Sequence, residues 1–198
     1  MHHHWLELAL EFVGTAAFAV TAVLAVTPRG IDIFGIAVIA VITAIGGGTI
    51  RDLILGVPVF WSSDLSYIWV ALAAGMIVFV AQRQFTRSMI HRLMLHLDGV
   101  GAALFSVHAT HKVWDLGFGL PLAPVMLGIV TGIGGGLMRD MLTGRPTLLM
   151  SRELYAIPIM LGCIFYVLVL SFFPAYDKPA AICCIVFIFG LRSAAIIW

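Results

Sequence analysis

Residues 43–52 read Thr-Ala-Ile-Gly-Gly-Gly-Thr-Ile-Arg-Asp, and residues 131–140 repeat the pattern as Thr-Gly-Ile-Gly-Gly-Gly-Leu-Met-Arg-Asp. Each matched residue lies 88 positions after its partner. A glycine inside a helix costs roughly 1 kcal/mol relative to alanine. An Arg-Asp pair in an apolar segment is also costly unless it is paired or hydrated. Because both costly features recur at one spacing, we interpret the stretch as functional.

The composition is that of an integral membrane protein. The 198 residues are 62% hydrophobic and 11% charged, with a mean hydropathy of +1.09, whereas soluble domains have about 25% charged residues. The net charge of +1 gives no indication of nucleic-acid binding. The three cysteines lie in apolar runs whose spacing suggests neither a zinc site nor a disulfide framework.

Seven segments are long and apolar enough to be transmembrane helices, which need about 20 residues each. No connecting loop is long enough to form a second domain, so we expect an all-α, single membrane domain over residues 1–198. The segments run approximately over residues 5–26, 31–55, 65–82, 93–110, 121–143, 154–173 and 180–197.

The repeat extends beyond the glycines. Residues 11–20 (EFVGTAAFAV) resemble residues 98–107 (DGVGAALFSV), here with an offset of 87. The chain therefore consists of a first repeat at about 5–82, a second at about 92–173, and an unpaired seventh helix at about 180–197. Since each repeat has an odd number of helices, the second copy enters the membrane from the opposite side, as in many transport proteins.

Loop charges predict the orientation, because cytoplasmic loops are rich in Lys and Arg. Eight basic residues fall on the side opposite the N-terminus and three on the N-terminal side, which places the N-terminus outside and the C-terminus in the cytoplasm. The eight are Arg29, Arg83, Arg87, Arg92, Arg139, Arg145, Arg152 and Arg192; the three are Arg51, Lys112 and Lys178.

The charges inside the segments are expected to form two related clusters. Glu11 lies about six residues into the first segment, and Arg51 about five residues from the end of the second, so both have a similar depth. Inverted symmetry repeats this arrangement with Asp98 and Arg139. We therefore predict Glu11 beside Arg51 in the outer half and Asp98 beside Arg139 in the inner half.

The neighbouring Asp52 and Asp140 are expected to point about 100° away from the arginines around the helix. Two interpretations remain open for these charges: ion pairs that fix helix to helix, or the lining of a hydrated path. Each repeat then has one arginine and two carboxylates, and this negative surplus favours cations over anions.

The triple glycines also have two interpretations. Small residues allow helices to pack closely, whereas an unwound or kinked helix would turn free carbonyl groups towards a cavity. We favour the kink. Threonine hydroxyls at 43, 49 and 131 are either additional ligands or bonded to the preceding turn. The candidate pore residues are Thr43, Gly46, Gly47, Gly48, Thr131, Gly134, Gly135 and Gly136.

Other polar residues give weaker signals. His108, His111 and Asp115 end the fourth segment and indicate a metal site, a pH sensor or simply a polar helix end. We expect no resident metal and no cofactor other than a permeant K⁺ or Na⁺. No nucleophile is paired with a base, so the sequence does not predict an enzyme.

The doubled Gly-Gly-Gly-x-x-Arg-Asp motif resembles that of small bacterial membrane proteins whose domain is labelled a glycine transporter, and of the related trimeric intracellular cation (TRIC) channels. The resemblance covers both repeats and the seventh helix. It implies a homotrimer in the bacterial inner membrane, with one pore per subunit lined by the kinked second and fifth helices. It also implies selectivity for monovalent cations, chiefly potassium. The animal channels' Lys-Glu-Val motif is absent here, so phosphoinositide regulation is not implied.

Two transport functions fit these features, and the potassium-permeable channel is preferred. The alternative is a secondary transporter of glycine or another small neutral amino acid, which would use inverted repeats and broken helices equally well. A membrane scaffold, whose polar clusters only lock the packing, is a third possibility. The expected partners are copies of the chain, membrane lipids and the permeant cations.

Overall fold

The computed structural model describes residues 2–26, 32–84, 86–150 and 154–197. Two of the arginines used for orientation, Arg29 and Arg152, lie outside these ranges, as does the side chain of Arg83. The helices are α1 (His2–Val26), α2 (Ile33–Leu55), α3 (Phe60–Ser63), α4 (Ser66–Ala81), α5 (Arg87–Asp115), α6 (Leu122–Leu142), α7 (Ala156–Phe172) and α8 (Asp177–Ile197). Short 3₁₀ turns lie at Gln82–Gln84, Leu148–Met150 and Pro174–Tyr176.

Each predicted segment overlaps one helix of the part of the chain that the structure describes. The largest difference is at α5, which is longer at both ends than the predicted 93–110. It begins earlier because the Thr86 hydroxyl accepts a hydrogen bond from the Met89 amide and caps a polar first turn. A search for apolar segments could not find these polar turns.

The helices have the character expected of an integral membrane protein. Four of them (α1, α2, α6 and α8) are long and apolar enough to cross a membrane, and α4 and α7 are shorter apolar helices. Large apolar side chains are exposed on α4, α7 and α8, where a bilayer would surround them. Examples are Trp69, Ile77, Val80, Phe165 and Val186.

The first helices of the two repeats, α1 and α5, run antiparallel to each other. In the α1–α5 pair, Gly14 contacts Phe105, while Phe18, further along α1, contacts Gly101, further back along α5. The rings of Phe18 and Phe105 stack with centroids 5.7 Å apart. Antiparallel pairing of matching helices is the arrangement that inverted repeats predict.

The triple glycines lie where α2 crosses α6. A Cβ atom on Gly47 would lie 2.3 Å from the carbonyl oxygen of Thr131, and one on Gly135 would lie 2.4 Å from that of Thr43. A Cβ on Gly134 would approach Gly47 Cα to 2.9 Å. The order of these contacts shows that α2 and α6 are also antiparallel, with the two backbones in direct contact.

Both helices remain α-helical through their glycines. An unwound segment with free carbonyl groups, one form of the favoured interpretation, is therefore not found. Close packing, the other interpretation, is what the contacts show, because glycine alone allows two backbones to approach this closely. A bend that preserves the helix stays a prediction.

Candidate functional site

Asp52 is the centre of the charged group at the end of α2. Its Oδ1 atom accepts hydrogen bonds from Arg51 Nε and Lys112 Nζ, both at 2.8 Å, and its Oδ2 accepts from the Phe60 amide at 2.9 Å. Arg51 and Asp52 are buried. The carboxylate thus bridges two cations and also holds the chain that follows α2 against the helix end.

Glu11 connects α1 to two other helices. Its Oε2 atom accepts a hydrogen bond from the Tyr67 hydroxyl on α4, and its Oε1 lies 3.1 Å from His108 Nε2 on α5. We call the whole group the Glu11 cluster; it consists of Glu11, Arg51, Asp52, Tyr67, His108 and Lys112.

A cavity of about 230 Å³ lies within this group. Glu11 and Arg51, which the sequence analysis placed together, both line it. It is called the Glu11 cavity below, and its lining residues are Glu11, Gly48, Arg51, Phe60, Phe105, His108 and Lys112.

The second charged group confirms the predicted pairing of Asp98 with Arg139. Arg139 Nη1 donates to Asp98 Oδ1 at 2.7 Å, and Arg139 Nε donates to Asp140 Oδ1 at 2.9 Å. The Leu148 amide donates to Asp140 Oδ2 at 3.1 Å. The side chains of Asp98 and Arg139 are 0% exposed, so this group is buried more deeply than the Glu11 cluster.

Arg192 joins this second group from α8. Its Nη2 atom lies 3.6 Å from Asp98 Oδ2, and its guanidinium carbon lies 4.4 Å from the centre of the Tyr155 ring. We call the group the Asp98 cluster; it consists of Asp98, Arg139, Asp140, Tyr155 and Arg192. Several of its buried polar atoms have no hydrogen-bond partner among the described residues: Asp98 Oδ2, Arg139 Nη2, Tyr155 Oη and the three guanidinium nitrogens of Arg192.

The expected divergence of about 100° around the helix does not separate Asp52 and Asp140 from the arginines. Both aspartates bind the arginine that precedes them, at 2.8 Å and 2.9 Å. Adjacent Cβ atoms do diverge around a helix, but the arginine side chain is long enough for its Nε to return to the neighbouring carboxylate. Each aspartate also binds an amide eight residues later, after a left-handed glycine turn at Gly56 (φ 67°) or Gly144 (φ 55°).

The expected surplus of one negative charge in each cluster is wrong. Lys112 contributes a cation to the Glu11 cluster and Arg192 contributes one to the Asp98 cluster. With neutral histidine, the cationic and anionic side chains of each cluster therefore balance. Any preference for cations must arise from the local arrangement of these groups rather than from their total charge.

The three threonines differ in their bonding. Thr131 Oγ1 donates to the Leu127 carbonyl at 2.6 Å, and Thr49 Oγ1 donates to the Ile45 carbonyl at 2.8 Å, so both are bonded to the preceding turn. Thr43 Oγ1 is buried without a hydrogen-bond partner among the described residues.

Sequence reasoning missed several members of the clusters. Tyr67 and Tyr155 are 88 residues apart, and the repeat spacing would have found them. Lys112 and Arg192 have no counterpart at that spacing, so no sequence signal assigned them. Among the described residues, no group of three or more His, Cys, Asp or Glu side chains could hold a metal ion.

The other predicted histidine, His111, lies near the end of α5 and close to the start of α8. His111 Nδ1 is 3.0 Å from Asp115 Oδ2, and His111 Nε2 is 3.9 Å from Asp177 Oδ2. His108 was expected beside this pair, but its Nε2 atom lies 3.1 Å from Glu11 Oε1 instead.

Comparisons with known proteins match almost the whole chain. A family model described as "Glycine transporter" matches residues 8–83 and 95–171. The UPF0126 inner membrane protein YadS of Escherichia coli is 36% identical over 190 residues, which cover 96% of this chain and 91% of that protein. A UPF0126 membrane protein of Vibrio cholerae is 34% identical over 191 residues, covering 96% and 78%.

Solved structures show the same fold. The TRIC trimeric intracellular cation channel orthologue from Rhodobacter sphaeroides has a TM-score of 0.91 and 31% identity, and the alignment covers 98% of each chain. A prokaryotic TRIC channel in 0.5 M KCl has a TM-score of 0.90 and 25% identity over 98% of this chain and 96% of that one. A TRIC channel from C. elegans, at 16% identity and a TM-score of 0.70 over 100% and 98%, shares the fold.

Proposed function

We propose that this chain, which belongs to the family described by the glycine transporter model, is a monovalent cation channel. It is permeable to potassium, and each subunit of a homotrimer contains its own pore. The observation that carries this proposal is the match to the Rhodobacter sphaeroides cation channel over 98% of both chains at a TM-score of 0.91. No enzymatic activity is proposed.

The position of the two clusters supports a path through the subunit. Arg51 follows the triple glycine of α2 by three positions, and Arg139 follows that of α6 by the same interval. Because α2 and α6 are antiparallel, the two arginines lie on opposite sides of the crossing. A cation would pass the Glu11 cavity, the glycine crossing and the Asp98 cluster in turn.

The glycine crossing is the narrow part of this path. The carbonyl oxygens of Thr43 and Thr131 lie at the contact between the two backbones. Carbonyl oxygens can replace the hydration shell of a monovalent cation. A small separation or bend of α2 and α6 at the glycines would expose these oxygens to the path, together with the Thr43 hydroxyl. The predicted kink is retained here as part of the open state.

The arrangement in the membrane follows from the same proposal. Seven helices cross the bilayer, the N-terminus is outside, and the exposed apolar faces of α4, α7 and α8 contact lipid or a neighbouring subunit. Arg87 and Arg92, which the structure describes as exposed, would lie on the cytoplasmic side, where basic residues meet anionic lipid headgroups.

A planar bilayer with a potassium chloride gradient tests the proposal. Unitary currents that reverse near the potassium equilibrium potential are the expected result. The description of the family model makes glycine transport the alternative outcome. A bilayer without current, together with proteoliposomes that accumulate labelled glycine saturably, would overturn the channel function.

A further inference from the structure

The Glu11–His108 pair lies between two cavities. His108 and Glu11 line the Glu11 cavity and also a second cavity of about 150 Å³ between α1, α5, α7 and α8. The His108 side chain is 35% exposed and that of Glu11 is 16% exposed. A proton can therefore reach the imidazole, yet the group is close enough to the proposed path to change its potential.

We propose that Glu11 and His108 form a proton-binding site that sets the preference for cations over anions in the Glu11 cavity. This inference rests on the proposed channel function. His108 Nε2 lies 3.1 Å from Glu11 Oε1, which is the distance of an ion pair once the imidazole is protonated.

The described groups that face the pair from the cavity side lie on α2, α4 and α5. Arg51 from α2 and Lys112 from α5 line the same cavity, and Asp52 accepts hydrogen bonds from both. Tyr67 from α4 donates to the second oxygen of Glu11.

The groups on the other side of the pair are His111 on α5, Tyr166 on α7, and Asp177 and Lys178 on α8, all of which line the second cavity. His111 has its own carboxylate partners in Asp115 and Asp177. His111 therefore lies beside acidic groups and outside the Glu11 cavity, which makes it a suitable control.

Protonation of His108 changes the charge of the Glu11 cavity by one unit. At neutral pH the Glu11 carboxylate is the only anionic side chain among the residues that line this cavity. An imidazolium at 3.1 Å cancels it and leaves the influence of Arg51 and Lys112 dominant. Histidine side chains ordinarily change charge between about pH 5 and pH 8, so the test covers that range.

The test is the reversal potential in a potassium chloride gradient, measured with both chambers at about pH 7.5 and then at about pH 5.5. We expect the potassium-to-chloride permeability ratio to fall about two- to threefold, as one screened unit charge near the path would cause. The reversal potential does not depend on the number of active channels, so partial loss of protein does not affect this measurement.

Two matched variants locate the effect. His108→Gln keeps a donor for Glu11 but cannot titrate, and we expect its permeability ratio to be independent of pH. His111→Gln removes a histidine three positions away and should behave as the wild type. Glu11→Gln should have a lowered ratio even at about pH 7.5.

Three results would overturn the site: a wild-type ratio that is constant with pH, a pH response that persists in His108→Gln, or one that disappears in His111→Gln. A wild-type ratio that is constant with pH overturns the site even if His108→Gln does not fold, in which case His108→Asn takes its place. These failures differ from failure of the channel function, in which the wild type would have no current at any pH.

Discussion

At the residue scale, the two clusters contain the same kinds of charged side chain, but these side chains differ in solvent exposure. Glu11 and Asp98 are equivalent residues of the two repeats, and each binds cationic or hydrogen-bonding partners on neighbouring helices. Glu11 faces a cavity, whereas Asp98 is 0% exposed between Arg139 and Arg192. The repeat therefore provides a natural comparison between a cavity-facing carboxylate and a fully buried one.

We predict that Asp98→Asn destabilises the protein much more than Glu11→Gln does. Removing one partner of a buried ion pair costs about 3–5 kcal/mol because the other charge is left uncompensated. Asp98→Asn would leave two buried guanidinium groups with the single carboxylate of Asp140. Thermal unfolding of the purified protein in detergent measures the difference. Equal melting temperatures for both variants would show that water already compensates the Asp98 cluster.

At the element scale, α2 and α6 can cross this closely because glycine has no Cβ atom. The built Cβ atom of Gly47 collides with the Thr131 carbonyl oxygen at 2.3 Å. That oxygen belongs to the backbone, so it cannot move without shifting α6. Gly190 on α8, by contrast, has no atom within 4 Å of a built Cβ.

We therefore predict opposite effects for one substitution at two helical glycines. Gly47→Ala should lower the stability by about 1–3 kcal/mol, as overpacking typically does, and reduce the single-channel conductance. Gly190→Ala should raise the stability by up to about 1 kcal/mol through helix propensity alone. Melting temperature and conductance measure both effects. A stabilised Gly47→Ala variant with normal conductance would mean that the helices separate easily at the crossing and that the glycines do not control it.

The same crossing separates what the sequence predicted from what only the structure could show. The helix positions followed from apolar length, and Asp98–Arg139 followed from the repeat and the helical rise. A triple glycine, however, fits both a kink and a close contact, and only the position of the facing helix distinguishes them. Lys112 and Arg192 were missed for a related reason: each lies in one repeat or in the unpaired helix, so internal symmetry contains no information about them.

At the scale of the whole molecule, the inverted repeat makes a prediction about the two faces of the membrane. The turn after α2 and the turn after α6 are built alike, with a left-handed glycine followed by an amide bonded to an aspartate. Ser62 in α3 and Met150 in the following 3₁₀ turn come just after these turns, 88 positions apart, and both are exposed. Inversion requires that such equivalent positions lie on opposite sides of the bilayer.

We predict that a membrane-impermeant maleimide labels Ser62→Cys in intact cells but labels Met150→Cys only after permeabilisation. The background should lack the three native cysteines, Cys163, Cys183 and Cys184. The expected sides follow from the basic loops, which place the N-terminus and the Ser62 turn outside. Labelling of both variants from one side would contradict the inversion itself. Labelling of Met150→Cys alone would preserve the inversion and reverse the orientation, which would move the Glu11 cavity and its proton site to the cytoplasmic face.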